Sequence, residues 1–173
     1  MKVDILELRK AHGTRENVVH DGPLPLGDVR FEGPAHLALT LTNAASRILV
    51  RGELVGKVVV ECARCTEPFA APVHADIDEE FLPADSPEVA DEEAAPWSDL
   101  NVYGDEDREI DLTEILRQNT IAALPIQAFC REDCRGLCPI CGENRNRVDC
   151  ECKMADIDPR LQPLRDLQQR LKG

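Results

Sequence analysis

The chain has 173 residues and a formal net charge of −13, with aromatic residues at 3% and charged residues at 31%. That length allows one domain with its own core, or one domain with a small metal-stapled tail, and the core must come from Val, Ile, Leu and Ala. The balance of charge excludes a general nucleic-acid binder, which needs clustered Lys and Arg, and no run approaches the ~18 apolar residues of a membrane helix.

The first ten residues have no apolar stretch of signal-peptide length and no small-residue cleavage pattern, so the cytoplasm is the expected compartment. Residues 2–9 read as a strand in which Val3 and Ile5 alternate with polar neighbours. Leu6 and Leu8 then shift the phase, through a bulge or a short helical turn. Residues 11–35, with Gly13, Gly22, Pro23, Pro25, Gly27, Gly33 and Pro34, read as loop. Strands are predicted over 36–42 and 47–54, joined by a turn at 43–46. A third runs over 57–61 straight into Cys62, and a fourth over 72–81, which together make an antiparallel meander.

Residues 83–108 read as a flexible acidic loop, in which Trp97 and Tyr103 are expected to dock on the body. The segment 76–114 carries 16 of the 33 acidic residues and a single basic one, Arg108, so all of the net acidity lies there. Such a segment suits a basic partner, or serves as a solvated face that aids solubility. Asp111 and Glu114 form a capping-box pattern, with Ile110 placed to staple against Ile115. The helix they start should end near Ala123, because Pro125 disfavours helical geometry at Leu124. Its apolar face is Leu112, Ile115, Leu116 and Ala122/Ala123. Leu164, Leu167 and Leu171 mark a closing helix after Asp158-Pro159. The predicted fold class is α+β, with a small antiparallel meander, a packed helix and a zinc-bound C-terminal tail. Its divisions are a sheet body at 1–82, the acidic loop at 83–108, the packing helix at 109–129 and the zinc-binding tail with its helix at 130–173.

Eight cysteines fall into four pairs: Cys62/Cys65 (CxxC), Cys130/Cys134, Cys138/Cys141 (a CPxCG knuckle) and Cys150/Cys152 (CxC). In a reducing compartment such pairs are read first as metal ligands. Zn²⁺ takes four thiolates in a tetrahedron, and a CxxC turn brings two onto one ion. Two structural zinc ions are therefore expected. The favoured pairing makes a local site from Cys138, Cys141, Cys150 and Cys152, whose intervening loop 142–149 is cheap to close. It leaves Cys62 and Cys65 to join Cys130 and Cys134. The alternative groups Cys130, Cys134, Cys138 and Cys141, leaving Cys62/Cys65 with Cys150/Cys152 or without metal. An iron–sulfur cluster is a rival occupant.

No catalytic or small-molecule site is expected. The four histidines, His12, His20, His36 and His74, have no HExxH setting or nucleophile partner, and a filled four-cysteine site leaves no position open for water. Arg64, within the CxRC turn, and Arg145/Arg147, beside the knuckle, are either RNA-phosphate contacts or ordinary surface cations.

The runs Cys62-Ala-Arg-Cys65-Thr66-Glu67-Pro68-Phe69, Glu109-Ile110-Asp111-Leu112, Leu124-Pro125, Cys134-Arg135-Gly136-Leu137-Cys138-Pro139-Ile140-Cys141-Gly142, and Asp158-Pro159-Arg160 with Leu164 stand in this order along the chain. In that combination the chain resembles the DUF177 (YceD-like) family. The resemblance implies a ribosome-assembly factor promoting accumulation of large-subunit (23S) ribosomal RNA. Its implied partner is a basic large-subunit ribosomal protein or the pre-ribosomal particle. It also favours joining Cys62/Cys65 to Cys130/Cys134. Family members commonly carry Asn-Leu-Asn after the knuckle, where this chain has Asn144-Arg145-Asn146. Two rival readings stand beside it: a zinc-thiolate redox-sensing chaperone, and direct RNA contact through Arg135, Arg145, Arg147 and Lys153.

Overall fold

The alternation that begins near residue 36 becomes the centre of a five-stranded sheet in the computed structural model of the chain, which describes residues 1–45, 47–90, 101–152, 163–164 and 167–168. In chain order the elements are β1 (Lys2–Asp4), α1 (Leu6–Arg9), β2 (Arg15–Gly22), β3 (Ala35–Ala44), β4 (Arg47–Glu61) and β5 (Pro68–Pro83). They are followed by α2 (Pro87–Ala90), β6 (Asn101–Tyr103), β7 (Glu109–Asp111) and α3 (Thr113–Ala123). The sheet order is β2-β3-β4-β5-β6, antiparallel except for β6, which runs parallel to β5. β1 pairs with β7 in a separate two-stranded ribbon, so it is not part of the meander.

One face of the sheet is apolar because side chains alternate along each strand. It buries Leu37, Leu39 and Leu41 from β3; Ile48, Val50, Leu54 and Val58 from β4; and Val73, Ala75, Ile77 and Phe81 from β5. α3 packs against β5 and adds Ile115 and Leu116 beside Leu112. Each such Leu or Ile contributes roughly 1.5–3 kcal/mol by leaving water. The opposite face is charged. There Arg51 meets Asp78 at 2.8 Å, Arg47 meets Glu80 at 3.1 Å and His74 meets Glu53 at 2.9 Å, so part of the acidity of β5 is neutralised within the sheet.

Several local expectations are corrected. Residues 15–22 form a strand, β2, at the sheet edge, although both of its faces stay half-exposed or exposed. The two strands expected over 47–54 and 57–61 are one continuous strand. Within 83–108, the structure has the end of β5, the short α2, and β6, whose Tyr103 is buried under the Arg9 guanidinium. Trp97 lies outside the described residues. The phase shift at Leu6 is the helical turn α1. Asp111 does accept the Thr113 amide at 2.9 Å, but Glu114 does not reach back to complete a capping box. It is drawn forward instead, by Arg117 at 2.8 Å and Gln118 at 2.9 Å. α3 ends at Ala123 with Leu124 extended, as Pro125 requires, but Ala122 and Ala123 are exposed. Thr120 takes the buried place, its hydroxyl satisfied by the Leu116 carbonyl at 2.6 Å. Residues 163–164 and 167–168 are helical, with Leu164 and Leu167 exposed, while Leu171 and Lys153 lie outside the described residues.

One feature of this architecture positions the chemistry. β3 stays beside β4 only to Val55, yet β4 and β5 remain paired to Glu61 and Pro68. The hairpin therefore projects as an arm. The segment just before β3 flanks it, with Val59 donating to the Arg30 carbonyl and Glu32 to the Lys57 carbonyl, each at 2.8 Å. Cys62 and Cys65 sit at its tip.

Candidate metal centres

The turn at the hairpin tip is closed by backbone bonds, Cys62 to the Glu67 carbonyl at 3.0 Å and Thr66 to the Cys62 carbonyl at 2.9 Å. It therefore presents two sulfurs on one side. The segment beyond α3 runs back to meet it, with the Ala63 amide donating to the Ala128 carbonyl at 2.8 Å and the Cys130 amide to the Cys62 sulfur at 3.4 Å. Arg64 fastens the contact from outside. Its guanidinium donates to the carbonyls of Glu132 (2.9 Å) and Cys134 (3.2 Å), and lies 4.5 Å over the Phe129 ring. The side chain that the sequence offered as a phosphate contact is thus occupied within the chain.

This brings Cys62, Cys65, Cys130 and Cys134 together, with all four sulfurs within 4.8 Å of one another. Cys62 and Cys134 are 3.8 Å apart, as are Cys65 and Cys130. Four sulfurs about 2.3 Å from one tetrahedral ion are about 3.8 Å apart along each edge. Cys62, Cys65 and Cys134 are buried and Cys130 is half-buried. The Cys130 amide, aimed at the Cys62 sulfur, holds that thiol down at about 6. Burial pushes the Cys130 thiol up to about 12, with the neighbouring sulfurs of Cys62 and Cys134 adding to it. Such a set could hold a metal ion, and ligands of this kind bind one more tightly as the pH rises because the thiols must give up their protons.

The second group is local. Cys138, Cys141, Cys150 and Cys152 also lie within 4.8 Å of one another. The knuckle closes through Gly142 to the Cys138 carbonyl at 2.9 Å and Cys138 to the Glu143 carbonyl at 2.8 Å. Gly142 has φ +77, a left-handed conformation that L side chains adopt rarely. The amides of Cys141 and Ile140 point at the Cys138 sulfur and hold that thiol at about 6. The Cys141 sulfur and burial push Cys152 up to about 12. Cys141 and Cys152 are exposed. The structure therefore groups the cysteines as in the favoured pairing, and the alternative set of Cys130, Cys134, Cys138 and Cys141 is not assembled.

The sequence reading missed the contacts that join the two groups. Asn146 donates to the Cys134 sulfur at 3.3 Å, and Asn144 donates to Glu67 Oε1 at 3.2 Å. Arg147 pairs with Glu67 Oε2 at 2.8 Å, and Arg135 with Asp149 at 2.7 Å, so two of the cations offered for RNA sit in ion pairs. Gly136 has φ +68, and a Cβ there would lie 2.9 Å from the Arg64 carbonyl oxygen. That oxygen accepts the Leu137 amide at 3.0 Å, and only glycine lets the loop approach so closely. The Asn-x-Asn run after the knuckle and the glycine of the GLC run were the available signals.

Fold and site together define a small α+β protein whose sheet carries one tetracysteine group at a hairpin tip and a second in the C-terminal ribbon of turns at 131–152. The family described as large ribosomal RNA subunit accumulation protein YceD matches residues 50–168, more than half of the chain, and the chain belongs to that family. An uncharacterized protein of Mycobacterium tuberculosis is 34% identical over 106 residues, covering 61% of this chain and 49% of the relative. A protein of Zea mays named large ribosomal RNA subunit accumulation protein YCED homolog 1, chloroplastic, is 24% identical over 155 residues, covering 76% of this chain and 53% of the relative. The Arabidopsis thaliana protein of the same name is 30% identical over 76 residues, covering 44% and 24%. The chain thus spans about half the length, or less, of these relatives. No solved structure matches it. None of these names supports the redox-chaperone alternative. Among the described residues no helix is long and apolar enough to cross a membrane.

Proposed function

We propose that this protein is a non-catalytic, cytoplasmic assembly factor that promotes accumulation of large-subunit ribosomal RNA, and that it does so by holding a basic ribosomal protein. The observation that carries the reading is the family match over residues 50–168, which takes in both cysteine groups. The acidic segment 76–114 supports the partner assignment, with 16 acids and one base. Asp76, Asp105 and Glu106 are exposed there. Clustered like charge of this kind draws an oppositely charged partner and speeds encounter at low salt. Arg64, Arg135 and Arg147 being engaged within the chain weighs against RNA as the primary ligand.

Both tetracysteine groups are assigned structural zinc, with Cys62, Cys65, Cys130 and Cys134 on one ion and Cys138, Cys141, Cys150 and Cys152 on the other. The donor set fits. In each group all four sulfurs lie within 4.8 Å of one another, which suits one small tetrahedral ion, whereas a multi-iron cluster would hold some of them wider apart. The ions would supply cross-linking, not reactivity, because four thiolates leave no coordination position for a substrate.

The test is complementation of a strain lacking the gene, reading the ratio of 23S to 16S ribosomal RNA, together with capture of large-subunit proteins on the purified chain. The expected result is restored 23S and enrichment of a basic protein. Deleting 83–108 is a poor probe because it removes β6 and buried Tyr103. Changing Asp91, Glu92, Glu93 and Asp99 to their amides is better. It should weaken capture and flatten its salt dependence. Full capture by that variant, or no basic protein retained by the parent, sinks the partner assignment.

A further inference from the structure

The loop between the two outer pairs of cysteines does more than close its own site. Cys141 and Cys150 bracket residues 142–149, so an ion held by Cys138, Cys141, Cys150 and Cys152 fixes both ends of that loop. The loop in turn touches both halves of the buried group. Asn146 Nδ2 lies 3.3 Å from the Cys134 sulfur, while its Oδ1 accepts the Arg135 amide at 2.8 Å and the Arg131 guanidinium at 2.6 Å. Asn144 Oδ1 orients Asn146 by accepting its backbone amide at 3.0 Å and its side-chain amide at 2.8 Å. The Asn144 side-chain amide and Arg147 then reach Glu67, whose carbonyl closes the Cys62 turn.

We infer that the two metal sites are thermodynamically coupled through Asn146, so that an ion in the exposed site tightens the buried one, and that Asn146 is the positioning residue of that linkage. It rests on the reading that both groups take a metal ion. An N–H aimed at a thiolate stabilises its charge and fixes its direction, and such outer partners typically change metal affinity about 10- to 100-fold when removed. Coupling of this kind is reciprocal: the buried ion tightens the exposed site by the same factor. Asn144 and Glu67 add a second strut, from the same loop to the other pair of ligands.

The experiment uses the full chain and cobalt(II), whose thiolate charge-transfer bands report coordination, with zinc competition against a chromophoric chelator. Removing the exposed ligands by C150S/C152S should weaken the buried site about tenfold or more. Asn146→Ala should weaken it by a similar factor and shift its charge-transfer band to lower energy, because a thiolate freed of its hydrogen bond is a stronger donor. A purely structural defect would not move that band. In the N146A background, C150S/C152S should then add little. Circular dichroism of the sheet checks that each variant is folded. Equal buried-site affinity and an unmoved band in N146A and C150S/C152S overturn the coupling while leaving metal binding intact. A parent chain that takes up no cobalt or zinc overturns both the coupling and the metal reading.

Discussion

The two tetracysteine groups have the same donor set and opposite settings. The buried group joins positions 72 residues apart, at the tip of a hairpin arm and beyond a packed helix, with three of its four cysteines buried. The other closes within 15 residues and leaves Cys141 and Cys152 exposed. With an ion bound, identical donor sets would therefore do different jobs: one would tie the sheet to the C-terminal ribbon, and the other would shape the ribbon itself.

That contrast breaks first if a ligand of each group is removed. Cys134→Ser should cost the fold about 3 kcal/mol or more, because the cross-link carries folding free energy. Cys150→Ser should cost the sheet only what the buried site loses in affinity, about 1.4 kcal/mol for a tenfold weakening. Urea titration with metal content per chain decides it, and equal losses would erase the distinction. Gly136→Ala is next. It forces a side chain onto a left-handed residue and against the Arg64 carbonyl, so a loss of about 1–3 kcal/mol with weakened metal retention at both groups is expected by the same titration. Arg64→Ala removes two bonds to carbonyls and the stack on Phe129. About 1–2 kcal/mol should go, with faster chelator stripping of the buried site and a smaller, secondary loosening of the exposed one.

The smallest effect lies far from both groups and serves as a control. The Thr113 hydroxyl and amide, then the N-terminal amine, hold the Asp111 carboxyl at about 2, below its ordinary 3.8. A lowered carboxylate pKa contributes stability that is present above about pH 4 and is lost as the pH falls toward 2. With its side chain 54% exposed, Asp111 should contribute under about 1 kcal/mol. Denaturant titrations of Asp111→Asn and the parent between about pH 5 and 2 should converge at the acid end, with equal metal content at neutral pH.

What the sequence disclosed follows from where a side chain's surroundings leave a period. The run in β3 alternates cleanly because one face is buried, and the end of α3 is dictated by Pro125. β2 left no such trace. As an edge strand with both faces part-exposed, it has no apolar period, and its bounding glycines read as loop. β6 is three residues long and parallel, too short to show alternation. The cysteine pairs were visible as chemistry at fixed spacing. Their partition into groups was argued from loop length and family likeness, and the sulfur positions now show it directly. Glu67 was opaque because a bond between a loop amide and a distant carboxylate has no local signature, and Asn146 was marked only by the Asn-x-Asn run, which does not name its sulfur partner. Arg64 was misdirected for a related reason, since an arginine beside a metal turn looks the same whether it faces a phosphate or its own chain's carbonyls.

The projecting arm also dictates an order of events during synthesis. Cys62 leaves the ribosome long before Cys134, and at about 5–20 residues per second the 72-residue interval lasts roughly 4–14 s. Through that interval the hairpin tip holds two unpartnered thiols. When the C-terminal segment emerges, Cys130 and Cys134 precede the knuckle, yet their loop-closure entropy is the larger. The local group can capture an ion as soon as Cys152 is free, and the ribbon it sets in shape then presents Cys134 to the waiting arm. With both sites filled, the nascent chain would be fastened from its far end inward.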